Sequence, residues 1–184
     1  MKTEITVSID PGYRYCGVAV FSDEVLVTAD LVEAKKWEVE AQQFAETAKC
    51  VWEFLETTVD KASLSAAQFA IEYPQQYTFS PAPREAVQRL VGTIGAILGK
   101  VQSETSGLSV RVSTYKPREW KGQVPKEIMA ERILSRLSSD EVNVIPAMSK
   151  SKAHNVTDAV GVGLHHLKRL KRKRVARQSN KAAG

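Results

Sequence analysis

Alternating apolar and polar positions open the chain. Ile5-Thr6-Val7-Ser8-Ile9-Asp10 repeats with the period of a strand, and Pro11-Gly12 forces a turn behind it. Strands are predicted over 4–10, 17–22 and 25–31, joined by short turns. The period then changes. Phe44, Ala48, Val51, Trp52 and Leu55 recur at helical spacing and predict a helix over 37–59. The apolar run at 68–72 reads as a short buried strand. A proline- and aromatic-rich loop at 73–83 follows, and Pro83 suits the first turn of a helix over 84–104. Val110-Arg111-Val112 predicts the fifth strand, 114–124 a polar loop and 125–138 a helix with Pro125 near its start. A connector over 146–152 precedes the last helix, 153–170, whose Val156, Ala159, Val160, Gly163, Leu164 and Leu167 form one stripe for packing on a sheet. The order β-β-β-α-β-α-β-α-α is that of an α/β fold.

Length and composition fit one domain. The 184 residues, 43% of them hydrophobic, suffice for a real core. No apolar run approaches the roughly 20 residues that span a bilayer, so no membrane association is expected. The first strand begins almost at once, and no secretory leader is read before it. Cys16 and Cys50 have no zinc spacing and make no disulfide framework, which points to an intracellular, reducing, cytoplasmic setting. The net charge of +5 is unevenly spread. Eight Lys or Arg and no acid fall in 168–184, leaving 18 basic and 21 acidic residues in the rest. We expect a domain over 1–170 and a basic, disordered tail over 171–184 that contacts nucleic-acid phosphates.

Three acids stand where chemistry is done. Asp10 ends the first strand, Glu72 ends the fourth, and Asp158 is expected to open the last helix. Singly, each has an ordinary reading as a turn former, an exposed strand end or a first-turn helix acid. Together they match the oxygen-rich set that Mg2+ or Mn2+ requires, and two such ions can drive phosphodiester hydrolysis. His154 and Asn155 lie four and three residues before Asp158, so either shares a face with it.

The chain resembles the RuvC-type Holliday junction resolvases of the RNase H-like superfamily. The resemblance rests on Ile9-Asp10-Pro11-Gly12-x-Arg14 with Gly17, on Ala70-Ile71-Glu72, on Tyr115-x-Pro117-Arg118-Glu119-x-Lys121, and on Asp158-Ala159. It implies an RNase H-like five-stranded mixed sheet, its first three strands antiparallel, flanked by helices. It implies a magnesium- or manganese-dependent endonuclease that resolves four-way or otherwise branched DNA with two ions per active site. Asp10, Glu72 and Asp158 take the three acidic ligand roles. The fourth is assigned to His154, with Asn155 as the alternative, because imidazole is the better ligand and proton carrier. Lys121, and Lys126 across a shortened loop, correspond to basic residues that contact DNA and support cleavage. Arg14, Lys116, Arg118, Lys150 and Lys152 add DNA-contacting charge, and Tyr73, Tyr77 and Phe79 are candidates for stacking on a base. The resemblance further implies a homodimer through helix 84–104, with Gly92, Gly95 and Gly99 at the approach and Leu90, Ile94 and Ile97 as apolar surface. The family carries an acid or a histidine three residues before its last acid, where this chain has Asn155; that departure and the added basic charge suggest a divergent member, of viral origin, acting on nucleoid or viral DNA, and these motifs specify no helicase partner. Competing readings are an RNase H-like nuclease on RNA–DNA hybrids and a non-catalytic junction-binding protein.

Overall fold

Five strands form one mixed sheet in the order β3-β2-β1-β4-β5. They are β1 (Ile5–Asp10), β2 (Tyr15–Ser22), β3 (Val25–Glu33), β4 (Gln68–Glu72) and β5 (Arg111–Tyr115). The computed structural model describes residues 3–75, 84–105 and 110–171. β1 pairs antiparallel with β2, and β2 with β3, whereas β1–β4 and β4–β5 are parallel. Asp23 and Glu24 both have positive φ, the backbone of a tight hairpin turn, and the Asp23 carboxylate accepts the Glu4 backbone N–H at 2.9 Å.

Both faces of the sheet are covered. Ile5, Val7 and Ile9 of β1 join Val18, Val20, Phe69 and Ile71 in one core beneath α1 (Glu40–Thr58) and α3 (Arg84–Glu104). Alternation sends Ala19, Phe21 and Ala70 to the opposite face, where they meet α7 (Lys150–His166) and α5 (Lys126–Leu134). Among the described residues three short helices complete the fold: α2 (Lys61–Leu64), α4 (Pro117–Trp120) and α6 (Ser139–Asn143). Among the described residues no helix is long and apolar enough to cross a membrane. Cys16 and Cys50 are both free thiols.

Several boundaries differ from the sequence expectation. The first helix begins at Glu40 rather than 37, because Gln43 holds the preceding chain extended: its side chain accepts the Trp37 N–H and donates to the Lys35 carbonyl. The polar loop at 114–124 contains the end of β5 and all of α4, whose start is set by Pro117 and by Glu119 accepting the Lys116 N–H. The helix expected over 125–138 stops at Leu134, and α6 starts anew from a reciprocal cap between Ser138 and Glu141. α7 begins at Lys150, inside the expected connector. Asp158 therefore lies in its third turn rather than its first. Of the expected tail, only Lys171 is among the described residues.

A buried ion pair locks the end of the domain. The Glu141 carboxylate receives the Arg169 guanidinium at 2.7 and 3.0 Å and the Leu26 N–H at 2.9 Å. Burial alone would raise the Glu141 carboxyl, but Arg169 and the Leu26 and Ser138 N–H groups hold it down at about 2. A depressed folded-state value stabilises the fold above the unfolded value of about 4.3, and that stability fades as pH falls toward about 2. Glu141→Gln should therefore cost about 3 kcal/mol at neutral pH by denaturant unfolding, since the half-buried Arg169 loses its charged partner. The loss should shrink as the wild type is acidified below its unfolded carboxylate range; a loss that stayed constant down to acid pH would remove the pair from this role.

Candidate active site

Strand parity puts two of the three acids on one face. Ser8 and Asp10 alternate with Val7 and Ile9, so they point toward α7, away from the core beneath α1. Glu72 has the same parity as Ala70, which packs in the core beneath α7. β1 and β4 are adjacent and parallel, with Ile9 opposite Ile71. The two carboxylates thus stand side by side at the carboxyl ends of neighbouring strands.

Asp158 comes from above, on α7, and small residues set its depth. A Cβ added at Gly17, the residue paired with Asp10, would lie 1.9 Å from the carbonyl oxygen of Asn155. Only glycine lets the helix backbone come this close. The buried Ser8 hydroxyl donates to the Ala159 carbonyl at 2.8 Å and fixes the helix along its axis. These contacts leave Asp158 over the strand ends.

Lys121, at the end of α4, closes the arrangement. Its Nζ is 3.0 Å from Asp158 Oδ2 and 3.3 Å from Glu72 Oε2. Burial and the neighbouring Glu72 and Asp158 charges hold the Asp10 carboxyl well above its usual value, against the opposing pull of Lys121 and Lys126. Burial also raises Glu72; Lys121 opposes this and Asp158 adds to it. Burial disfavours the Lys121 ammonium, yet Glu72, Asp158 and Asp10 together raise its pKa. One ammonium among three carboxylates leaves an excess of negative charge, and that excess together with an all-oxygen donor set suits hard divalent cations. As they stand, among the described residues no group of three or more His, Cys, Asp or Glu side chains is arranged to hold a metal ion; Lys121 supplies the positive charge instead.

The other predicted residues divide into groups. Asn155 donates its amide to the Tyr15 carbonyl at 3.1 Å, so it is engaged by backbone. His154 stands one helical turn before Asp158, partly exposed. Arg14 and Lys152, far apart in sequence, both pair with Glu33 at 2.9 Å and both lie over the Tyr15 ring. Lys116, Arg118 and Lys126 are exposed on α4 and α5. Tyr73 is partly buried against the core beneath α1. Tyr77 and Phe79 lie outside the described residues, as does the side chain of Lys150. On α3 the expectation needs correction: Ile94 and Ile97 are buried in the chain's own core, and a Cβ at Gly92 would meet Phe44 of α1 at 2.6 Å. Gly95 and Gly99 do face open space, beside an exposed Val91.

Sequence reasoning missed two aromatic residues. Trp120 donates its indole N–H to Glu72, and Tyr15 carries the Arg14–Lys152 pair. A tryptophan between Glu119 and Lys121 in an otherwise polar stretch was the available signal for the first. Tyr15 sits in the predicted turn and gives no comparable sign.

With this geometry in view, the solved structures are informative. No protein-family model matches the sequence, and no curated protein matches it. The structure is similar to Thermus thermophilus RuvC in complex with Holliday junction substrate, with 21% identity, a TM-score of 0.63 and coverage of 89% of this chain and 92% of that one. The chain has the RuvC fold. A second Thermus thermophilus RuvC structure aligns at 19% identity and TM-score 0.58, covering 89% and 93%. Yeast mitochondrial Holliday junction resolvase Ydc2 aligns at 10% identity and TM-score 0.50, covering 90% and 81%. The five-stranded mixed sheet that the resemblance implies is the one observed, with its first strands antiparallel.

The crowded carboxylates should weaken the metal-free protein. An acid whose folded-state value is raised weakens the fold; the penalty is full above that raised value, shrinks as pH falls below it and is gone at the unfolded value. Asp10→Asn should therefore raise the melting temperature by a few degrees at neutral pH in chelator. The gain should disappear toward the unfolded aspartate value of about 3.9. A mutant melting at or below wild type at neutral pH would refute the reading.

Proposed function

We propose that this protein is a metal-dependent endonuclease that cuts four-way or branched DNA. The observation that carries the reading is the convergence of Asp10, Glu72 and Asp158 about Lys121 at the strand ends of a RuvC fold. A binding protein gains nothing from an acidic cluster facing phosphate. Asp10, Glu72 and Asp158 would hold the Mg2+ or Mn2+ ions, two per site, with His154 as the further ligand. His154 is preferred because imidazole is the better ligand and proton carrier; the Asn155 side chain donates its amide N–H to the Tyr15 carbonyl. Bound there, divalent ions supply the charge relief and Lewis acidity that phosphodiester hydrolysis needs.

The chain's own groups then have separate tasks. The three acids set the negative field that selects a dication over water. Lys121 brings N–H donors to the place where phosphate charge must be met, and Lys126 adds charge felt at Asp10. Arg14 and Lys152, locked side by side through Glu33 and Tyr15, would contact phosphates and position an arm of the DNA rather than read its sequence. The basic tail would add affinity for any duplex.

The decisive measurement is incubation of the pure protein with a synthetic four-way junction, with and without Mg2+. Paired nicks requiring the metal are expected. Asp10→Asn, Glu72→Gln and Asp158→Asn should each abolish cutting while keeping junction affinity, and His154→Ala should raise the metal concentration needed. Preferential cutting of an RNA–DNA hybrid would replace the substrate assignment. Binding without cutting in any metal would make the protein a junction binder.

Paired nicks call for paired sites. We propose a two-fold dimer through the outward face of α3, where Val91, Gly95 and Gly99 allow close approach of a second helix. Gly95→Arg should convert the dimer to a monomer in sedimentation while leaving the fold intact. A wild type that sediments as a monomer at micromolar concentration yet makes paired nicks would defeat this assignment.

A further inference from the structure

Trp120 is 5% exposed, although it ends the polar helix Pro117-Arg118-Glu119-Trp120. Its ring lies against α7 at Gly161, where an added Cβ would come within 2.5 Å of the indole and 2.7 Å of Ile133. An indole has one polar atom, and when buried that N–H needs an acceptor. Here Nε1–H donates to Glu72 Oε2 at 2.7 Å. The ring face carries the Lys121 ammonium 4.7 Å from its centroid. One side chain therefore touches both Glu72 and the cation that bridges Glu72 to Asp158.

The consequence is an orientation. The terminal torsion of a glutamate is soft, so a carboxylate at a strand end turns freely unless something grips it. Glu72 Oε2 is gripped twice, by the Trp120 N–H and by Lys121. Among the described residues, Oε1 accepts no hydrogen bond. We infer that Trp120 is a positioning residue: it pins Oε2, leaves Oε1 as the oxygen offered to a divalent cation, and holds Lys121 beside the acids. The inference rests on the reading of Glu72 as an ion ligand given above. It adds a residue whose indole N–H, rather than its bulk, sets ion affinity.

The test separates N–H from bulk. Trp120 is replaced by 3-benzothienylalanine, which keeps the bicyclic shape and has sulfur in place of N–H, and in parallel by Phe. Mn2+ affinity is measured by calorimetry without DNA, junction affinity in chelator, and cleavage across a Mn2+ series. The benzothienyl variant should keep the wild-type melting temperature and junction affinity. It should lose about tenfold in Mn2+ affinity, within the range expected when a group orienting a ligand is removed. Its cleavage should fall at limiting Mn2+ and recover at high Mn2+, which a merely structural defect would not do. Trp120→Phe should show the same metal defect with a lower melting temperature. A benzothienyl variant with wild-type Mn2+ affinity overturns the inference, even if the wild type cuts junctions. A wild type whose Mn2+ binding is lost in Glu72→Gln, but which cuts no DNA, defeats the nuclease reading and leaves the Trp120 result to stand by itself. A wild type that binds no Mn2+ defeats both.

Discussion

The close seating of α7 on the sheet is the constraint on which the site depends. Helices normally stand off a sheet by the length of their side chains. Here Gly17 removes the side chain that would hold α7 away, and the Ser8 hydroxyl takes up a carbonyl of the helix. Asn155 ties the same turn to the Tyr15 carbonyl. Each contact is local and small, but together they fix depth, translation and roll. Asp158 inherits its position from all three. Had β2 carried even alanine at 17, the helix would have to retreat, and the carboxylate furthest from the strands would leave the cluster first.

That geometry creates an electrostatic problem. Three carboxylates brought to one end of two strands repel, and burial makes the repulsion worse, as the raised Asp10 and Glu72 values record. The fold answers it with Lys121, a cation set on a turn beside the acids. Lys121 caps a single-turn helix and is followed by Gly122 in the left-handed conformation, so the cation sits at the edge of a turn rather than within a strand. In the proposed metal-dependent reading, an acidic cluster balanced by a single lysine suits a site that takes up divalent cations. A site meant only for stability would replace the acids.

Much of this was legible in the sequence, and the reasons are physical. Strand ends could be read because alternation and Pro11-Gly12 mark them, and Asp10 and Glu72 follow directly. Their common face follows from parity once β1 and β4 are neighbours. The depth of Asp158 in α7 was not legible: Lys150-Ser151-Lys152 reads as a polar connector, and only the packing of the later turns carries the helix back to Lys150. α4 and α6 were hidden for a related reason, since four- and five-residue helices offer no full period and depend on caps. On α3, spacing alone could not say which of its apolar residues would go inward. Ile94 and Ile97 went to the core because α1 lies beneath them, and Gly92 is open to Phe44 rather than to a second chain.

Trp120 joins these threads. Its ring fills the space that Gly161 leaves on α7, so the glycine's role is to let a side chain from another helix approach. That approach carries the indole N–H to Glu72 and brings Lys121 with it. The core beneath α7 and the charged cluster are thereby continuous: the same helix that carries Asp158 also supports the residue that grips Glu72. A change in how α4 packs must then be felt at the carboxylates, even when no charged residue is altered. The acids can be named from the sequence, but their mutual orientation is a property of the apolar packing between α4, α5 and α7.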